Sequence, residues 1–127
     1  MISRKTIGEG AETLLKQLSR KNTMIEGMKF DGDKLRFDLI PPEVDEALAT
    51  ILTFGADKYG DRNWELGMDW GRSYGAMCRH LNAWRKGEKL DPESGKPHLW
   101  HALTCLSFLV TYEQRNSGRD NITHESD

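Results

Sequence analysis

At 127 residues the chain is one domain by length, large enough to bury a core yet short for a ligand site walled by one subunit, which points to a homo-oligomer. Its 18 Lys and Arg against 20 Asp and Glu leave a formal net charge of -2, so no bulk attraction to duplex nucleic acid is expected. No apolar run approaches the ~20 residues that span a bilayer, and the start MISRKTIGEG lacks the apolar stretch of a secretory signal; a soluble cytoplasmic protein without a membrane partner is expected.

In chain order, AETLLKQLS carries Leu14, Leu15 and Leu18 at helical spacing, which predicts a short amphipathic helix over 11–19, followed by a polar arm to residue 28. KFDGDKLRFDLIPP alternates Leu35, Phe37 and Leu39 with Lys34, Arg36 and Asp38, so an extended segment is expected there, ended by Pro41 and Pro42. From Pro42 onward, Val44, Leu48, Ile51 and Leu52 fall at i, i+4, i+7 and i+8 and predict a core helix that stops at Tyr59-Gly60. DRNWELGMDWGRS is rich in turn formers and holds Trp64 and Trp70, whose large apolar bodies need a packed home; it reads as an ordered loop.

A second core helix is expected from about Trp70 to Arg85, with Trp70, Tyr74, Met77, Cys78, Leu81 and Trp84 as its apolar stripe. A third runs from about Pro97 to Gln114. Its main buried side is expected to be Leu99, Ala102, Leu103, Leu106, Leu109 and Val110, with His98, His101, Cys105, Phe108 and Tyr112 on a neighbouring stripe; a helix so apolar all round implies a bundle or an interface. Cys78 and Cys105 lie inside helical patterns and read as reduced, buried thiols, which suits a reducing compartment. The fold class is therefore all-α, with three main helices plus a short N-terminal helix and one extended segment. Residues 1–28 form an accessory helix and arm, 29–114 the helical domain, and 115–127 a flexible tail.

Chemistry concentrates in RHLNAWRKGEKLDPESGKPHLWHA, residues 79–102, which holds three of the four histidines, His80, His98 and His101, beside Glu88, Asp91 and Glu93. The intervening KGEKLDPESGKP cannot propagate a helix or a strand. His98 and His101 stand three apart at a helix start, so both imidazoles leave one side, and Glu88 and Asp91 can fold back against it. Oxygen and nitrogen ligands for a divalent ion would then meet, although two such histidines also serve as ordinary capping groups and loop carboxylates are commonly just solvated. Glu43 and Glu46 need no function, since negative charge suits a helix N-terminus. Lys34 and Arg36 on the extended segment, with Lys58, Arg62, Arg79 and Arg85, can surround a polyphosphate. Tyr59, Asn63 and Trp64 offer stacking and amide hydrogen bonds to a base, or else plug the bundle.

No GxxxxGK[ST], His-Asp, HExxH, GxSxG or CxxC pattern is present, so catalysis by a Ser or Cys nucleophile has no support. Four segments in order, KFDGDKLRFDLIPP, FGADKYGDRNW, RHLNAW and GEKLDPESGKPHLWHA, over roughly 29–112, resemble bacteriophage dATP/dGTP diphosphohydrolase N-terminal domains, related to the phage MazZ enzymes. The resemblance implies hydrolysis of a purine deoxynucleoside triphosphate to monophosphate and pyrophosphate with Mg²⁺ or Mn²⁺, and kinship with all-α MazG-like pyrophosphohydrolases. Those use EExxE on one helix and ExxD on the next; this chain has only Glu43 and Glu46 on the first helix, and its ExxD, Glu88 with Asp91, lies in the loop region. In the expected site Glu88 and Asp91 are catalytic; these two with His98 and His101 hold the ion, and His80 lies alongside. Lys34, Arg36, Lys58 and Arg79 take the phosphates, and Tyr59, Asn63 and Trp64 the base. A phage protein that sequesters a nucleotide signal without cutting it would need the same basic and aromatic groups but not the acids, and a structural module would need neither.

Overall fold

The computed structural model describes residues 27–28 and 32–123, so the helix expected over 11–19 lies outside the described residues. The chain divides into two units, Met1–Arg36 and Phe37–Asp127. In the first, Lys34, Leu35 and Arg36 are exposed. The second is helical: α1 spans Pro42–Tyr59, α2 Trp70–Arg85 and α3 His98–Arg115, and its described residues contain no strand. The helix bounds follow local signals. Pro42 opens α1 with Glu43 and Asp45 in the first turn and Lys58 in the last, all complementing the macrodipole, and Gly60 ends it at φ 95°. α3 starts after Pro97 and closes on Asn116 in the left-handed region.

The extended segment is not extended throughout. Phe37–Leu39 forms one 3-10 turn, with Ile40 N–H donating to the Phe37 carbonyl, and Leu35, Phe37 and Leu39 are all exposed. A period-two pattern needs a ladder partner to stay straight, and the turn satisfies the backbone locally instead.

α2 and α3 form the main packed pair, and α1 lies on α3. Which faces pack differs from the expectation. Leu99, Leu106 and Val110 of α3, and Tyr74, Cys78, Leu81 and Trp84 of α2, are exposed. The seam is made of smaller and more polar residues: Ser73, Ala102 and Thr104 are buried, and the Ser73 hydroxyl donates to the Cys105 carbonyl at 2.9 Å. Of the main side expected for α3, Ala102 is buried, and His98 and Tyr112 of the neighbouring stripe are buried with it. Both cysteines are free thiols, but Cys78 is exposed, not buried.

The segment after α3, expected to fray, is docked instead. Trp70 N–H donates to the Arg119 carbonyl and Arg119 N–H to the Met68 carbonyl, while the Trp70 indole N–H reaches the Ser117 carbonyl and the Arg119 guanidinium grips both Asp69 oxygens. Among the described residues no helix is long and apolar enough to cross a membrane.

Candidate functional site

The loop between α2 and α3 is a hydrogen-bonded hairpin. Asp91 N–H donates to the Lys96 carbonyl and His98 N–H to the Lys89 carbonyl, Leu90 bridges Pro97, and Gly87 and Gly95 supply the positive φ its bends require. The Asp91 carboxylate also accepts from Ser94 N–H at 2.9 Å, an Asx-type turn that fixes its direction. Glu88 and Asp91 are thereby folded back on the head of α3. Glu88 Oε2 lies 3.0 Å from His98 Nε2, and Asp91 Oδ2 lies 3.9 Å from His101 Nε2, which bonds the Ser94 hydroxyl at 2.6 Å.

The third imidazole comes from α2. His80 Nδ1 lies 2.9 Å from His98 Nδ1, and its ring stacks on His101 at 4.6 Å, tilted by 9°. His98 is buried, at 3% exposure. Among the described residues, the ligand atoms that converge within 4.8 Å of one another belong to His80, Asp91 and His98. This set differs from the expected Glu88, Asp91, His98 and His101: Glu88 stands behind His98, and His101 is engaged by Ser94.

Burial, then the nearby His101, His98 and Arg79, lower the His80 pKa, although Asp91 opposes. Burial likewise lowers that of His101, so both rings are neutral near pH 7. Burial alone would raise the Asp91 carboxyl, but hydrogen bonds from Ser94 and the neighbouring imidazoles outweigh it and hold it below the usual carboxylate value. A group with a depressed folded pKa stabilises fully above its unfolded pKa and loses that contribution as pH falls through the folded value. In chelator, thermal stability is therefore expected to be flat between pH 6.5 and 9.0, where the buried Cys105 thiol begins to matter, and to fall below pH 6.5 as His80 and His101 protonate, with a further loss below pH 3.8 from Asp91. Melting curves across that range check this, and His101→Gln should flatten the first decline.

Asp91, His80 and His101 open onto a cleft of about 1020 Å³, at the upper end of ligand-pocket sizes of about 300–1,000 Å³. Lys58, Arg79, Tyr59, Asn63 and Trp64 line it too, so most residues expected to take phosphate and base share one cavity with the imidazole cluster. Lys34 and Arg36 belong to the first unit and are described with it. Lys58 is hydrogen-bonded to Glu93, and Arg62, in the left-handed region at φ 56°, reaches Glu65 at 3.4 Å. Trp64 gives one face to Phe108, stacked at 4.5 Å, and its carbonyl accepts the buried Tyr112 hydroxyl at 2.6 Å. The aromatic turn is thus both plug and cleft wall.

One residue was missed. Arg72 lines the cleft with Ala76, Arg79 and His80, at i, i+4, i+7 and i+8 of α2, and neither Arg72 nor Arg79 has a carboxylate partner among the described residues. Arg72 lies off the apolar stripe in the sequence as Arg79 does, but its place in the cleft follows only from how α2 packs. A Cβ at Gly75 would come 3.3 Å from Arg79 Nη1, so the glycine leaves room for that guanidinium to lie back along the helix.

Residues 24–122 match the family model described as dATP/dGTP diphosphohydrolase, N-terminal. The chain belongs to that family. A dATP/dGTP diphosphohydrolase of Salmonella phage PMBT28 is 37% identical over 83 residues, which cover 65% of this chain. The chain spans only 28% of that relative's length. No solved structure matches it. For this family member the matched region takes in α1 to α3, the loop from α2 to α3 and the docked segment beyond α3 as far as Ile122.

Proposed function

We propose that this chain is the nucleotide-binding part of a metal-dependent pyrophosphohydrolase that converts dGTP or dATP to the monophosphate and pyrophosphate. The observation that carries the reading is the cleft itself, whose wall Arg72 and Arg79, without carboxylate partners among the described residues, share with an imidazole and carboxylate cluster and an aromatic turn. In the reaction a water oxygen bonds to the α-phosphorus as the bond to the β-bridging oxygen breaks, and pyrophosphate leaves. Arg72, Arg79 and Lys58 neutralise the triphosphate and the charge that grows on the leaving group. Tyr59, Asn63 and the open face of Trp64 hold the base. The Asp91 carboxylate, on the cleft wall, can take the proton of the attacking water. The donor set, two imidazoles and an ionised carboxylate, suits the Mn²⁺ of the family resemblance better than its Mg²⁺, which prefers oxygen ligands; such an ion would lower the pKa of a water and screen phosphate charge. Glu88, bonded to His98, supports the site from behind.

Self-association is part of this reading: the exposed stripes of α2 and α3, Tyr74, Leu81, Leu99, Leu106 and Val110, are the apolar area a second copy would cover. Incubation with each dNTP and Mn²⁺ tests the activity. Pyrophosphate and monophosphate should form from dGTP or dATP, and Arg79→Ala should raise KM roughly ten-fold or more, as loss of a charged hydrogen bond does. No product above an Asp91→Ala control rejects the activity; intact nucleotide recovered from a tight complex would make the chain a sequestering binder.

A further inference from the structure

Two imidazole nitrogens, His80 Nδ1 and His98 Nδ1, face each other at 2.9 Å with a carboxylate oxygen of Asp91 in the same small volume. Two lone pairs that close repel unless something positive lies between them, and only a proton or a cation can. The far side of His98 orients the ring: its Nε2 is 3.0 Å from Glu88 Oε2, and the ring is almost wholly buried. Nε2 therefore carries the hydrogen, donated to the carboxylate, and Nδ1 is left as a lone pair aimed at His80. Metal-ligating histidines are held in this way, one nitrogen on the ion and the other donating to a carboxylate that fixes ring and tautomer. Asp91 has equivalent support from Ser94 N–H.

We infer that His80, His98 and Asp91 form a two-nitrogen, one-oxygen site for a borderline transition ion of the Zn²⁺, Co²⁺, Fe²⁺ or Mn²⁺ class, discriminating against Mg²⁺, with Glu88 as a positioning residue outside the coordination sphere. The inference rests on the ion-binding reading of this cluster given above. Bond lengths of about 2.0–2.1 Å hold neighbouring ligand atoms about 2.9 Å apart around an octahedral ion and about 3.3 Å around a tetrahedral one, so the observed pair needs little or no opening. Donor chemistry makes the selection. Mg²⁺ prefers an all-oxygen shell and keeps its waters, whereas imidazole suits the first-row transition ions. The site would be loaded before nucleotide arrives, because its three donors need no phosphate to complete their own convergence.

The test is titration of metal-stripped full-length protein with Co²⁺, read by visible ligand-field absorption in the absence of nucleotide. One equivalent of Co²⁺ should give saturable bands that a large excess of Mg²⁺ leaves in place and Zn²⁺ abolishes. Asp91→Asn and His80→Gln, checked for folding by circular dichroism, should lose them. Glu88→Gln should keep the band shape but weaken Co²⁺ binding by about 10–100-fold. Absence of bands, or displacement by Mg²⁺, overturns the assignment and leaves a shared proton between the rings; unchanged affinity in Glu88→Gln overturns its positioning role. Co²⁺ binding without dNTP hydrolysis would sink the activity and leave this site standing, and hydrolysis supported by Mg²⁺ without Co²⁺ binding would do the reverse.

Discussion

Replacing His98 by alanine is expected to cost about 2–4 kcal/mol of stability and to lower both transition-ion affinity and dNTP turnover by more than the about 10–100-fold expected of Glu88→Gln. His98 is the most heavily committed side chain in the cluster: 3% exposed, with one nitrogen on Glu88 and the other on His80. Alanine leaves a cavity at the head of α3, strips His80 Nδ1 of its partner and frees Glu88 into solvent. The backbone bond from His98 N–H to the Lys89 carbonyl survives, so the loop should stay hairpin-like while the site behind it fails. Thermal denaturation beside Co²⁺ titration separates the two losses. A variant as stable and as active as the parent would show that the cluster does no more than fill space.

Gly118→Ala should be nearly as damaging, by about 2–4 kcal/mol or roughly 10 °C in Tm, although it lies outside the His80, His98 and His101 cluster. Gly118 has φ 70°, and an added Cβ would collide with the Met68 carbonyl and come 3.0 Å from Met68 N; Gly67 opposes it at φ 95°, with its own Cβ 2.9 Å from Gly118 N. Two glycines facing each other are what allow residues 68–70 to pair with Arg119. That pairing anchors the turn holding Asn63 and Trp64 to the end of α3, so the variant should also raise KM for nucleotide. Arg119→Ala, which removes only an exposed ion pair with Asp69, should leave Tm close to the parent's. Equal effects of the two substitutions would mean that the ion pair, not the backbone pairing, secures the segment.

Much of the site was legible because it is local. Glu88 and His98 are separated by one loop whose Gly, Pro and Ser content forces it to double back, so their contact follows from that composition once Pro97 starts the next helix. Helix bounds were legible for a similar reason: Pro42, Gly60 and Pro97 act within one turn of themselves. Arg72 was missed, and His80 was left at the margin of the histidine and acid cluster, because their places depend on how α2 lies against α3 and not on their neighbours in sequence.

The sequence by itself determined the class of fold, the place where each helix starts and stops, and the meeting of the acidic loop with the imidazoles of α3. Only the tertiary structure decided which faces pack, that His80 and not His101 converges with Asp91 and His98, and that residues 117–121 are docked. Periodicity marks a helix and its amphipathic faces, but the buried face is chosen by the approach distance its neighbours allow. Here Ser73, Ala102 and Thr104 are buried while Leu99 and Leu106 stay exposed, and the Ser73 hydroxyl bonds across to the Cys105 carbonyl.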